Sequence, residues 1–157
     1  MKITLLLNGK TEDDYIAKGF ALYEQRLKHY ISFELIVIPA LKNTKSLSIE
    51  QQKQKEGELI FKQIQNSDKL ILLDEKGKEY NSVAFSEFIQ QQMNSGIKNV
   101  VFVVGGPYGF SDEVYKRANG KISLSKMTFS HQMVRLFFVE QLYRAMTILK
   151  NEPYHHQ

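Results

Sequence analysis

At 157 residues, with 43% hydrophobic and 24% charged residues, the chain has the length and composition of one compact globular domain and is too short for two. It contains no cysteine, which excludes disulfide bonds and thiolate metal sites and suits a reducing compartment. The N-terminal apolar run, residues 3–7, is too short for a signal-peptide core, and no later stretch is apolar enough to span a membrane. We therefore expect a cytoplasmic protein without a membrane partner.

The excess of positive charge lies near the C-terminus. The formal net charge is +4, and residues 115–157 hold seven of the 21 basic residues but two of the 17 acidic ones. Three of the four histidines lie in the same segment. This distribution favours a polyanionic partner that docks near the C-terminal part, although an ordinary scatter of surface charge would explain it too.

Five strand-like runs divide the chain. They are predicted at residues 3–8, 33–38, 69–74, 99–104 and, more weakly, 121–125. The runs are apolar almost throughout and alternate with helical patterns, which is typical of a parallel sheet covered on both faces. We predict a single-domain α/β fold over residues 1–157, with no internal repeat and no linker.

Helical patterns fill the gaps between these runs. Ser48 with Gln51 has the spacing of a capping box, and Ser111 precedes two acidic residues, as is typical of a helix start. The helices are predicted from near Thr11, from Ser48 to about Gln65, from Asn81 or Ser82 to a point before Gly96, from Ser111 to before Gly120, and from about His131 to Lys150.

The last predicted helix is apolar on most of its sides. Its apolar residues do not form one stripe: Met133, Val134, Leu136, Phe137, Phe138, Val139, Leu142, Tyr143, Met146, Ile148 and Leu149. A helix of this kind needs two partners. The sheet is one, and a second copy of the chain is the economical other, although burial within its own fold would give the same pattern.

A glycine-rich turn, Gly105-Gly106-Pro107-Tyr108-Gly109, follows the fourth strand. Its spacing does not match the dinucleotide fingerprint, and Pro107 removes one backbone N–H from any anion cradle. The dipeptide Gly77-Lys78 is followed by Glu79, so it is not a Walker loop. What remains is bared backbone at the carboxyl edge of a parallel sheet, where such proteins bind ligands, or a plain structural turn.

The ends of the two neighbouring strands carry few side chains that could bind a ligand or take part in catalysis, namely Asp74, Ser125 and Thr128. Three strand ends that surround one ligand mainly with main-chain groups fit a flat heterocycle better than a hydrolytic centre. The histidines, His29, His131, His155 and His156, have no metal-binding spacing, and we expect no metal site. There is no G-x-S-x-G element and no cysteine nucleophile either.

Five motifs, in order along the chain, together resemble the RlmH family of SPOUT-class RNA methyltransferases. They are LLDEKG, VVGGPYGF, SLSKMTFSHQMVR, VEQLYRAMTI and NEPYHHQ. The likeness extends from the first strand to the last residues and so covers essentially the whole chain. It implies a homodimer and a trefoil knot over about residues 69–157, which general topological rules would not predict because knots are so rare.

The resemblance also implies a cofactor, S-adenosylmethionine, bound in the knot, with no metal. By position, the implied cofactor contacts are Leu73, Gly105, Leu124, Ser125, Lys126, Met127, Thr128 and Phe129. Ser130 stands where relatives often have proline, and because serine can cap the following helix we expect cofactor binding to be kept.

The activity that the resemblance implies is methylation of N3 of a pseudouridine in 23S rRNA, on the assembled ribosome. The imide proton must be removed or weakened for this reaction. Arg135 and Arg144 are candidates to hold rRNA phosphate or stabilise the deprotonated base, although a solvated helix face or a dimer salt bridge with Glu140 would also explain them. His131 is either a further candidate or only a residue at a helix start.

The C-terminal residues Tyr154 and His155 follow Pro153, which ends the helix. We expect Tyr154 to stack on a flipped-out base and His155 to act as a base or a phosphate contact. A disordered end or a tag remnant is the alternative. Whether these residues act within one chain or across a dimer is open.

Two other classes of function remain open. A non-catalytic ribosome-binding factor that kept the fold would differ in not binding S-adenosylmethionine. A nucleotide-binding enzyme of the Rossmann type is disfavoured by the missing fingerprint.

Overall fold

The structure, a computed structural model, describes residues 1–156. Strands and helices alternate, which confirms the predicted α/β class. The strands are β1 (Lys2–Asn8), β2 (Ser32–Ile38), β3 (Lys69–Glu79), β4 (Asn99–Val104) and β5 (Gly120–Ser123). The helices are α1 (Asp14–Leu27), α2 (Ile49–Phe61), α3 (Ser82–Asn94), α4 (Asp112–Arg117) and α5 (Met133–Leu149), with a 3-10 turn at Thr44–Ser46.

The five strands form one parallel sheet in the order β2-β1-β4-β3-β5. The chain reverses its direction across the sheet at each connection, so right-handed crossovers place successive helices on opposite faces. Helices α1, α3 and α5 cover one face, and α2 and α4 cover the other. All strand carboxyl ends therefore meet at one edge.

The predicted helix caps are confirmed. Ser48 and Gln51 form a reciprocal capping box on α2, and the side chains of Asn81 and Ser111 accept from the first turns of α3 and α4. Each cap satisfies a backbone N–H that has no partner within its helix.

Tertiary contacts shift two helix boundaries. Helix α1 begins at Asp14 instead of near Thr11, because the Glu12 N–H donates to the Gln132 side chain, 2.8 Å away, and is held against α5. Helix α2 ends at Phe61 instead of about Gln65. Arg117 binds the carbonyl of Gln65 at 3.0 Å, which holds that segment out of the helix.

Strand β3 continues past residue 74, where the sequence predicted its end, and runs through Gly77 to Glu79. Its pairing with β5 shifts register, so that Ile122 pairs with Leu73 and again with Lys78. Residues 74–77 bulge out between these two pairings. A Cβ at Gly77 would lie 2.6 Å from the backbone N and C of Ile122, so this crossing has room for glycine only.

Helix α5 packs against the sheet and has α1 and α3 as neighbours on either side. Contacts within one chain therefore bury most of the apolar sides of α5, and burial within its own fold is the alternative that the sequence left open. Phe137 remains 39% exposed. No helix within residues 1–156 is long and apolar enough to cross a membrane. The trefoil knot stays a prediction.

We predict that Gly77→Ala lowers the free energy of unfolding by about 1–3 kcal/mol or more, because the added Cβ meets backbone that cannot rotate away. Urea unfolding followed by circular dichroism measures the change. Gly19→Ala is the control, because its Cβ meets only the end of the Leu136 side chain, at 3.0 Å, and it should stay within about 1 kcal/mol of the wild type. Equal stability of both variants would contradict the tight crossing.

Candidate functional site

A cavity of about 540 Å³ opens at the carboxyl ends of β3, β4 and β5. Its walls are Leu73 with residues 74–76 of the β3 bulge, the glycine turn (residues 104–110), the end of β5 and the segment after it (residues 122–125 and 127–130), and Tyr115, His131 and Val134. The sequence predicted that these three strand ends would meet around one ligand. Their meeting follows from the strand order, since β4, β3 and β5 are consecutive neighbours.

The structure places seven of the eight expected cofactor contacts on this cavity: Leu73, Gly105, Leu124, Ser125, Met127, Thr128 and Phe129. Lys126 does not line it. The Lys126 side chain is 87% exposed and its Nζ lies 3.8 Å from Oε1 of Glu79. Cofactor binding by these residues stays a prediction.

Neighbouring groups leave no room for a side chain at two glycines of the turn. A Cβ on Gly105 would lie 2.9 Å from Cζ of Phe110, and one on Gly106 would lie 2.8 Å from Oε2 of Glu56 and 3.1 Å from Nδ2 of Asn8. Glu56 is only 8% exposed, and a further turn residue, Gly109, has a φ of +79°. Side chains are therefore excluded here by packing as well as by conformation.

Glu56 and Asn8 were missed as supports of the glycine turn. They come from α2 and β1, far from the turn in sequence, and nothing in their local pattern connects them to it. Oδ1 of Asn8 is the one buried side-chain polar atom without a hydrogen-bond partner in the described part of the chain.

Local serine hydrogen bonds shape the segment after β5. The Ser123 hydroxyl donates to the carbonyl of Ser125 at 2.8 Å, and Oγ of Ser125 accepts from the N–H of Met127 at 2.9 Å. Oγ of Ser130 accepts from the N–H of Met133 at 3.1 Å, so Ser130 caps α5 as expected. These bonds also explain why β5 ends at Ser123 and not at residue 125.

Arg135 holds the start of α5 against the end of β1. Its guanidinium donates to the carbonyls of Asn8, Gly9 and His131, each at 3.0 Å, and to the Thr11 hydroxyl at 3.1 Å. The residue is 1% exposed, and burial lowers the pKa of the guanidinium.

This position corrects the expected role of Arg135. The guanidinium of Arg135 already donates to protein oxygens, and because it is buried it is out of reach of an rRNA phosphate or a target base. The carbonyl that it binds at the cavity rim belongs to His131, whose exposed side chain lines the cavity. Arg135 is a structural clamp of the site.

Tyr154 is held within the fold and is not part of a free tail. Its hydroxyl donates to Oε1 of Glu140 at 2.9 Å and lies 3.2 Å from the hydroxyl of Tyr23. Its ring packs edge-on against Tyr143, with centroids 4.8 Å apart, and carries the Arg144 guanidinium 4.7 Å from its centroid. Burial, with these hydrogen bonds, raises the pKa of Tyr154.

These contacts argue against the alternative of a disordered end, because the chain is held through Tyr154. The ring of Tyr154 is half-buried against Tyr143 and Arg144, and its stacking on a base stays a prediction. The phenol anchors the residue that follows it.

His155 is oriented by Arg144, which also pairs with Oε1 of Glu140 at 2.5 Å within the same helix, whereas the sequence alternative placed that pair across a dimer. Nη1 of Arg144 lies 3.3 Å from Nδ1 of His155. Because arginine has no acceptor, Nδ1 accepts and the neutral ring carries its proton on Nε2. The free nitrogen of His155 is therefore a donor.

The cavity and the C-terminal cluster (Tyr154, His155 and Arg144) are separate in one chain. None of the three lines the cavity, and His155 instead borders a groove at the start of α3 with Asn81 and Ser82. Of the five expected catalytic residues, only His131 lies on the cavity. Within residues 1–156 no three His, Asp or Glu side chains are grouped to hold a metal ion.

Comparison with known proteins places this site in a family. A family model described as "Predicted SPOUT methyltransferase" matches residues 1–155. Proteins called "Ribosomal RNA large subunit methyltransferase H" are 63% identical in Christiangramia forsetii and 61% identical in Parabacteroides distasonis, each over 157 residues that cover both chains completely.

A solved structure, the SpoU methyltransferase AviRb from Streptomyces viridochromogenes in complex with AdoMet, aligns with 95% of this chain and 58% of its own. Its 11% identity and TM-score of 0.47 are too low to support an argument about the site. The match of the family model and the relatives covers the cavity walls and the C-terminal cluster alike, and the chain belongs to the SPOUT methyltransferase family.

Proposed function

We propose that the protein transfers a methyl group from S-adenosylmethionine to N3 of a pseudouridine in 23S rRNA, in the cytoplasm and on the assembled ribosome. The observation that carries the proposal is the cavity at three strand ends, lined by seven of the eight residues implied by the family resemblance. The names of the relatives, which are large-subunit rRNA methyltransferases, support the substrate class.

The residues present fit S-adenosylmethionine. A volume of about 540 Å³ lies within the range of small-molecule sites. Because Gly105 and Gly106 have no side chains, their backbone donors and acceptors can contact a flat base directly. The charged side chains on the cavity, Asp74, Glu75 and Lys76, carry a net negative charge, which favours a cation.

When bound, S-adenosylmethionine supplies an electrophilic methyl group on a sulfonium and leaves as a neutral thioether, so no acid is needed for the leaving group. The chain must instead orient the target nitrogen and take its proton. Among the expected residues, His131 is the titratable side chain on the cavity. We assign the proton acceptor to His131, and to His155 a donor role toward the base or a phosphate, since Nδ1 of His155 already faces Arg144.

Separation of the cavity from the C-terminal cluster supports a homodimer in which one copy brings His155 to the cavity of the other. Apolar groups beside the cavity are open to such a contact. Met127 is 77% exposed, and Phe137 packs on Phe129 with ring centroids 4.8 Å apart while remaining 39% exposed. The positive excess of residues 115–157 suits an RNA partner at the same side.

Deletion of the gene should remove one methylated pseudouridine from 23S rRNA, and mass spectrometry of the rRNA measures this. Expression of the wild-type gene should restore the methyl group. An unchanged modification map would overturn the proposed activity, and a restored map with a variant that cannot bind S-adenosylmethionine would favour a non-catalytic binding factor.

Phe137→Asp should convert a dimer to a folded monomer, because a charge in a buried apolar interface costs several kcal/mol whereas a partly exposed site tolerates it in the monomer. Sedimentation across a concentration series measures the mass. Phe61→Asp is the matched control on the opposite face of the sheet, since Phe61 is 36% and Phe137 39% exposed. A dimer in both variants would remove Phe137 from the interface.

His131→Ala should lower methyl transfer about 100-fold to 10,000-fold, as expected for loss of a general base. His155→Ala should lower the rate by roughly 10-fold to 100-fold, as expected for a lost hydrogen bond to a charged group. Single-turnover transfer to ribosomes measures both. His156→Ala, the exposed neighbour, is the control, and a larger loss in His155→Ala than in His131→Ala would reverse the assignment.

A further inference from the structure

Two side chains on the cavity lie outside the set implied by the family resemblance, and they are bonded to each other. Asp74 belongs to the β3 bulge and Tyr115 to α4. The Tyr115 hydroxyl donates to Oδ2 of Asp74 at 2.5 Å. The bond joins two walls of the cavity that are 41 residues apart in sequence.

The Asp74 carboxylate is held from both sides. Its Oδ1 accepts from the N–H of Lys76 at 2.8 Å, within the bulge, while Oδ2 is held by Tyr115. No Lys or Arg side chain forms an ion pair with Asp74 among residues 1–156. The result is a fixed carboxylate whose charge is not neutralised by the protein.

Tyr115 is itself fixed by the glycine turn. Its ring meets Phe110 edge-on, with centroids 5.7 Å apart and planes at 81°, and its hydroxyl lies 3.6 Å from the position of a Cβ on Gly109. Burial, with the Asp74 bond, raises the pKa of Tyr115 to about 12, so the phenol remains a donor over the physiological pH range.

We propose that Asp74 selects the positively charged methyl donor over its neutral product, and that Tyr115 is the positioning residue that holds the Asp74 carboxylate on the cavity wall. The inference rests on the proposed function, because it takes the cavity as the site of S-adenosylmethionine. Donor and product differ by one methyl group and one positive charge on sulfur, so a fixed, unpaired carboxylate stabilises the donor and leaves the product almost unaffected. Product release is favoured for the same reason.

Calorimetry with S-adenosylmethionine and with S-adenosylhomocysteine tests this, using the wild type, Asp74→Asn, Tyr115→Phe and the double variant. We expect Asp74→Asn to lower donor affinity roughly tenfold and product affinity by less than about twofold. Tyr115→Phe should produce part of the same selective loss in donor affinity. It should add little when combined with Asp74→Asn, because both changes weaken the same interaction between the Asp74 carboxylate and the donor.

Glu113→Gln and Tyr15→Phe are the controls, because Glu113 is an exposed acid on α4 and Tyr15 is 65% exposed on α1, and neither lines the cavity. Equal loss for both ligands, or no loss, would overturn the proposal. If the wild type binds neither ligand, the proposed function fails instead.

A measurement on the wild type tests the same proposal without relying on the folding of any variant. The donor-to-product affinity ratio should fall as salt is raised, since screening weakens the charge term and leaves shape unchanged. A ratio that is independent of salt would overturn the charge selection. Steady-state methylation should also show the loss in Asp74→Asn as a raised KM for the donor, with kcat nearly kept.

Discussion

The close passage of β3 over β5 at Gly77 is the constraint on which the site depends. With no Cβ at Gly77, the chain approaches the backbone of Ile122 closely enough to pair with β5 a second time. The residues between the two pairings are forced out of the sheet and become a wall of the cavity. One missing side chain thus decides both the end of the sheet and the shape of the cavity.

The remaining walls are supported by groups that do not line the cavity. Glu56 and Asn8 back the glycine turn, and Arg135 ties the start of α5 to the end of β1 through backbone carbonyls. A buried polar group such as the Arg135 guanidinium is costly unless it is bonded, and here its bonds fix the backbone at the end of β1 and at the start of α5. A site built from main-chain groups needs such support, because it has no side-chain rotamers of its own to adjust.

The side chains to which we assign charge and proton roles lie in two separate places in one chain. The cavity holds His131 and the Asp74–Tyr115 pair, whereas the Arg144–His155 pair sits beside α3, anchored by Tyr154. Because Tyr154 is bound by four protein groups, the end of the chain is a rigid platform that presents one histidine nitrogen as a donor. In the proposed homodimer, the second copy is what brings the two places together.

Local patterns in the sequence determined the α/β class, the caps at Ser48, Asn81 and Ser111, and the meeting of three strand ends, because periodicity, capping and parallel topology depend on neighbours in the chain. Family likeness added the expected cofactor contacts. Only the tertiary structure decided that Arg135 is buried, that Tyr154 is held within the fold and that Tyr115 holds Asp74. Those roles depend on partners up to 131 residues away, and side-chain type alone does not say which partner a guanidinium or a phenol will meet.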